Sequence, residues 1–329
     1  MPQQKDYANL TPDRILDAIE SVGIVPDCSL LALNSYENRV YRFADQDEER
    51  FVIKIYRPER WSEQQILEEH DFTLALAAEE IPVVPPLVRD GNTLFWHEGY
   101  CFALFPNRGG RILDLEQTDQ LQWLGRFMAR IHNVGALKPF SHRGQLTTTT
   151  FGHSNLACLQ ACEQLPDALR EPYLTIVEQV LSLCEQQAAA LNNCSTLRLH
   201  GDCHQGNVLW TDAGPHFVDF DDSIMGPAVQ DLWMLVCGEG EQKLKQWDAL
   251  IEGYNEFREF NVSELNIIET LRALRMINYT AWLAKRWIDP AFQVNFPWFD
   301  GGQYWENQIL LLKEQYALIQ ENENLSQYF

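Results

Sequence analysis

The chain has 329 residues, 46% hydrophobic and 22% charged, with a formal net charge of −22. That is the composition of an ordinary soluble protein, long enough for two lobes rather than one core. The acidity argues against nucleic acid or an anionic membrane as partner, because phosphates are repelled, and no apolar run approaches the ~20 residues of a membrane span.

The opening stretch MPQQKDYANLTPDR lacks the apolar centre of an export signal. The eight cysteines form no framework, and Cys158 and Cys162 stand one helical turn apart. Reduced thiols in a cytoplasmic protein are therefore expected. Thr11-Pro12-Asp13 starts a helix, with Ile15, Ile19 and Val22 at helical spacing and Gly23 closing it. Three strand-like runs follow, Ser29–Leu33, Arg39–Phe43 and Arg50–Tyr56, and Asn34-Ser35-Tyr36-Glu37-Asn38 turns between the first two.

In Arg50–Tyr56, Phe51, Ile53 and Ile55 share one face while Val52, Lys54 and Tyr56 share the other. A mid-strand lysine among apolar residues needs a partner, because desolvating an ammonium is costly. Ser62-x-x-Gln65 is a capping box that opens a helix to about Ala78. Of its adjacent acids, Glu69 shares a face with Ile66, Phe72 and Leu76, whereas Glu68 lies among Gln64, Gln65 and Asp71. A Lys54–Glu69 ion pair is the expectation.

Ile81–Leu87 is extended by its prolines, further short strands end at Tyr100–Phe105, and Asn107-Arg108-Gly109-Gly110 has linker composition. The period then becomes helical. Leu121, Leu124, Met128 and Ile131 form a stripe ending at His132, read as structural. Gly135–Phe151 is irregular; its four consecutive threonines, Thr147 to Thr150, read as a polar loop, with hydroxyls that are candidate phosphorylation sites. Helices are expected over Leu165–Asn192, after Gly226-Pro227, and over Trp247–Phe260, Val262–Trp287 and Gln303–Gln320.

The chemistry concentrates in Leu197–Asp222, LRLHGDCHQGNVLWTDAGPHFVDFDD. It reads as a strand, a polar loop and a hairpin centred on Ala213, which brings Asn207 and Asp219 to one open end beside Asp202. A carboxamide and two carboxylates in a small volume suit phosphoryl transfer: Asp202 to orient and deprotonate a hydroxyl, Asn207 and Asp219 as oxygen ligands for Mg²⁺. Asp221 is near enough to assist. His200, Cys203 and His204 could instead bind zinc, but no second ligand pair stands at zinc spacing.

H-G-D-x4-N with its apolar-Asp strand end resembles the catalytic loop of the aminoglycoside phosphotransferase and choline kinase superfamily. LNSYENRVY, VIKIYRPERW, HGDCHQGNVLW, FVDFDD and GPAVQDLWML are similar to the bacterial stress response kinases of the YihE/RdoA type. The resemblance, from about Asn34 to Trp305, implies an α+β, bilobal protein-kinase-like fold: an antiparallel-sheet lobe over residues 1–105, a mainly helical lobe over 106–329, and ATP with Mg²⁺ between them. It also implies that Ser35 and Lys54 meet the nucleotide phosphates, Glu69 orients Lys54, and Ala103 through Phe105 line an adenine slot. Asp202 and Asp219 would be catalytic, and Asp231 would prop the catalytic loop. The Ser35 turn departs from the protein-kinase pattern in having no glycine.

The activity implied is a serine/threonine protein kinase that also phosphorylates itself, acting as a monomer in protection from stress-induced death with a toxin–antitoxin connection. A small-alcohol phosphotransferase, acting on an aminoglycoside, choline or homoserine, is the alternative. A non-catalytic nucleotide-binding protein is a third.

Overall fold

A computed structural model describes residues 6–187, 194–321 and 325–329. In chain order the elements run α1 (Pro12–Glu20), β1 (Leu31–Ala32), β2 (Arg39–Ala44), β3 (Arg50–Ile55), α2 (Glu63–Ala78), β4 (Phe95–His97), β5 (Tyr100–Pro106) and β6 (Arg111–Ile112). Then come α3 (Thr118–Gly135), α4 (Ser154–Gln160), α5 (Asp167–Gln186), β7 (Leu197–Leu199), β8 (Val208–Thr211), β9 (Gly214–Phe217) and β10 (Ile224–Gly226). The last are α6 (Val229–Leu232), α7 (Gly240–Asn255), α8 (Ile268–Arg286), α9 (Pro290–Asn295) and α10 (Gly302–Glu321). The end of the helix expected over Leu165–Asn192 lies outside the described residues.

The chain forms two compact units. One comprises residues 1–114, 140–143 and 202–223; the other comprises 115–139, 144–201 and 224–329. By contact, then, residues 106–114 and Asp202–Ser223 group with the first unit.

The first unit is built on an antiparallel five-stranded sheet in the order β1-β2-β3-β5-β4. Alternation decides its two faces. Phe51, Ile53 and Ile55 of β3 and Tyr100, Phe102 and Leu104 of β5 join one core with Ile15 and Ile19 of α1. Tyr56, Cys101 and Ala103 face the other way and pack on Ile66 of α2. The expected capping box forms at the start of α2: Gln65 N–H donates to Ser62 Oγ (3.3 Å) and Ser62 N–H to Gln65 Oε1 (2.9 Å).

The β8–β9 hairpin differs from its expected register by one residue. Val208 faces Phe217 and Thr211 faces Gly214, so Asp212-Ala213 is a two-residue turn and Ala213 is not its centre. Gly214 takes φ +108°, a conformation open to glycine, and that lets the turn close early. Asn207 is still the last ladder residue, accepting from Val218 N–H at 3.0 Å, and Asp219 follows directly.

The second unit is mainly helical. Helices α3 and α7 approach closely through two glycines: a Cβ on Gly253 would lie 1.9 Å from the Gln122 carbonyl oxygen, and one on Gly125 would lie 2.1 Å from that of Leu250.

Candidate active site

In the first unit a cavity of about 240 Å³ is lined by Ser35, Lys54, Glu69, Phe105, Asp219 and neighbouring residues of the sheet and hairpin. Each arrives by a local rule. Lys54 projects from the β3 face opposite the core, Glu69 from the buried stripe of α2, and Phe105 from the same β5 face as Ala103. Ala103 itself lies behind the cavity, fully buried opposite Lys54.

Asp219 sits just past β9 with φ +61° and ψ +63°, a left-handed conformation that costs aspartate about 1 kcal/mol. Its carboxylate is 55% exposed and stands 3.0 Å from Lys54 Nζ, which is also 3.0 Å from Asp221. Asp221 is buried, and a second cation, Arg60, grips it through Nη1 and Asp222 through Nη2. Asn38 Nδ2 donates to Asp221 Oδ2 at 3.2 Å.

In the same unit Asn207 Nδ2 donates to the backbone carbonyl of Asp202 (2.9 Å), which fixes the loop that carries Asp202. With its nitrogen engaged, the carboxamide has its oxygen left to offer a cation. His204 Nε2 lies 3.5 Å from Asp202 Oδ2, while its Nδ1 accepts from Gly206 N–H at 3.0 Å. Among the described residues no three His, Cys, Asp or Glu side chains are grouped to cage a metal ion. The half-exposed Asp219 carboxylate and the Asn207 carboxamide fit a hard ion that takes its remaining ligands from phosphate and water.

In the second unit Asp231 accepts from the backbone N–H groups of His200 and Gly201, both at 2.8 Å, directly before Asp202. His132 Nε2 donates to Asp231 (3.2 Å), and His132 Nδ1 pairs with the Tyr254 hydroxyl (2.8 Å).

The model of the phosphotransferase enzyme family matches residues 29–265. The chain belongs to that family. It is 43% identical over 320 residues to the serine/threonine protein kinase RdoA of Salmonella typhimurium, covering 96% of this chain and 95% of that one. It is 44% identical over 315 residues to stress response kinase A of Escherichia coli K12, with the same coverage. Among solved structures, amicoumacin kinase hAmiN in complex with AMP-PNP, Ca²⁺ and Ami superposes with a TM-score of 0.69 at 19% identity, covering 90% of this chain and 89% of that one. This phosphotransferase therefore has the kinase-like α+β fold, and it is an enzyme.

The electrostatics around this cavity follow from burial and proximity. Burial pushes the Lys54 ammonium down, but Asp219, Asp221 and Glu69 outweigh it, so Lys54 stands well above the ordinary lysine range. Burial pushes Asp221 up, yet Arg60, Lys54 and Arg143 hold it well below the ordinary carboxylate range. Burial wins at Glu69, which rises to about 7 against the pull of Lys54 and Arg143.

The expected Lys54–Glu69 ion pair is replaced by another arrangement. Lys54 is taken by Asp219 and Asp221, and Glu69 Oε2 is taken by Arg143 Nη2 at 3.2 Å. Two carboxylates at 3.0 Å satisfy the ammonium, and a buried guanidinium satisfies the glutamate, so neither charge is left bare.

Sequence reading missed Arg143, Arg60 and the task of Glu68. Glu68 accepts from the backbone N–H groups of Ser141, His142 and Arg143 at 2.5, 2.9 and 2.8 Å. The one signal was two adjacent acids on α2 with no cation at helical spacing.

Proposed function

We propose that this chain is an ATP- and Mg²⁺-dependent serine/threonine protein kinase that also phosphorylates itself and serves in a stress response. The observation that carries the reading is the cavity that joins Lys54, Glu69, Phe105 and Asp219, in a chain 43–44% identical to enzymes named as kinases of this kind. Phe105 would pack on the adenine, with Ala103 behind it, and Ser35 and Lys54 would meet the phosphates. Asp202 would orient the acceptor hydroxyl and take its proton as the oxygen bonds to the γ-phosphorus. The bond from that phosphorus to the β–γ bridging oxygen breaks, and ADP leaves. Asn207 and Asp219 would hold Mg²⁺, which when bound neutralises phosphate charge. Glu69, kept from Lys54 by Arg143, would act on Lys54 through the field of the shared cluster. Acceptors are proteins with basic character around Ser or Thr, in keeping with the −22 net charge.

Transfer from labelled ATP tests this. Wild type should label itself and a basic acceptor protein in acid-stable form, and Asp202→Asn should lose at least ~10³-fold in rate, the scale of losing positioned proton transfer. Label appearing only on a small alcohol would make the enzyme a metabolic phosphotransferase. Equal labelling by Asp202→Asn would remove Asp202 from the chemistry.

A further inference from the structure

We infer that Arg143 is a positioning residue for the segment Asp219–Ser223, and that Phe140–Arg143 is a clip tying that segment to α2. The inference rests on the reading of Asp219 as a metal ligand.

Arg143 is 5% exposed and spends its donors on two separate pieces of chain. Nε donates to the Gln65 carbonyl (2.7 Å) and Nη2 to Glu69 (3.2 Å), both on α2. Nη1 donates to the carbonyls of Asp221 (2.8 Å) and Ser223 (3.0 Å), just beyond Asp219. The guanidinium also lies 4.7 Å from the centre of the Trp61 ring. A planar fork can satisfy acceptors on two elements at fixed angles, and an ammonium cannot.

The clip is fastened from the other side as well. Glu68 takes its three consecutive N–H groups, Gln65 Nε2 donates to the His142 carbonyl (3.1 Å), and Phe140 meets Phe72 of α2 edge-on at 5.7 Å. These four residues belong to the first unit although the chain on either side of them belongs to the second.

What this does for Asp219 follows from the backbone. The β8–β9 ladder ends at Val218, so no strand partner fixes Asp219, which holds a left-handed conformation. Arg60 grips the side chains of Asp221 and Asp222, whereas Arg143 grips main-chain carbonyls. Arg143 thus sets where the main chain goes after Asp219, and hence where that carboxylate stands, without touching a reacting atom. Partners one step removed from a metal ligand commonly change metal affinity by about 10- to 100-fold.

The test is a titration of Mn²⁺ followed by electron paramagnetic resonance in the presence of AMP-PNP, with urea unfolding of each protein alongside. Arg143→Lys and Arg143→Ala should weaken Mn²⁺ binding by about tenfold. Methylguanidinium should restore part of it to Arg143→Ala, and methylammonium should not. Glu68→Gln, which loosens the clip and leaves Arg143 in place, should weaken binding by a smaller factor and stands in if the Arg143 variants do not fold. Mn²⁺ affinity within twofold of wild type in any folded variant overturns the inference. Wild type that binds no Mn²⁺ overturns the metal reading itself, and the inference with it; wild type that binds while the variants match it overturns the inference alone.

Discussion

Two loops, one in each unit, are held in opposite ways. His200–Gly201 hangs from one carboxylate, Asp231, which is fully buried and takes both N–H groups, with His132 and Tyr254 behind it. Asp219–Ser223 is held by cations from three separate stretches, Lys54, Arg60 and Arg143, and its leading carboxylate is half exposed. The first arrangement is largely dry, with each donor matched to one acceptor. The second is a field of mutually compensating charges, three cations against three carboxylates and two main-chain carbonyls. That difference is in keeping with the roles proposed for Asp202 as a base and Asp219 as a cation ligand.

The largest effect should come from breaking the dry arrangement. Asp231→Ala leaves the buried His200 N–H, the half-buried Gly201 N–H and the buried His132 Nε2 without their acceptor. A loss of about 3–5 kcal/mol is expected in urea unfolding, the range for removing one partner of a buried charged network. A loss under ~1 kcal/mol would mean that water or another acceptor readily replaces this carboxylate, and the contrast between the loops would fall.

Much of this site was legible because local rules carry it. The β3 alternation put Lys54 opposite the core, the capping box set the phase of α2 and hence of Glu69, and the loop spacing put Asn207 and Asp219 at one hairpin end. The cation field was not legible. Arg143 reaches Glu69 across 74 positions and Ser223 across 80, from a stretch with no periodicity to read. Asp221 lies in a short 3-10 turn, Phe220–Asp222, where neither strand nor helix spacing indicates which acid turns inward. The hairpin register slipped by one because a single backbone angle at Gly214 decides it.

The charged arrangement should show itself in pH dependence. Glu69 has an ordinary value near 4.5 and stands at about 7 when folded, raised by burial. Its folded form favours the proton, so its contribution to stability is full below about 4.5 and is lost as pH rises through about 7. Glu69→Gln removes that loss. The stability of the variant relative to wild type should therefore rise by about 3 kcal/mol between pH 4.5 and 8. Glu264, raised to about 6 by burial, is present in both proteins and cancels, so the difference reports Glu69 together with the charges it shares the cluster with, Lys54, Asp219 and Asp221. A difference that stays constant over this range would mean that Arg143 and Lys54 keep Glu69 ionised throughout.

The smallest effect tests whether α2 is held by its own ends or by the clip. Ser62 caps the helix through Gln65 N–H and sits on the exposed side, so Ser62→Ala should cost about 1 kcal/mol in thermal unfolding, the ordinary value of an N-cap. The clip grips α2 one turn further on, at Gln65, Glu68 and Glu69. If the clip holds the helix, fraying at Ser62 stops there: hydrogen exchange should quicken at Gln65 and Ile66, whose N–H groups donate to Ser62, and stay slow at Glu69 and His70. Exchange quickening through His70 would show that the cap, rather than Arg143 and Glu68, keeps the glutamates in place, and the charged arrangement would then depend on a single turn of helix.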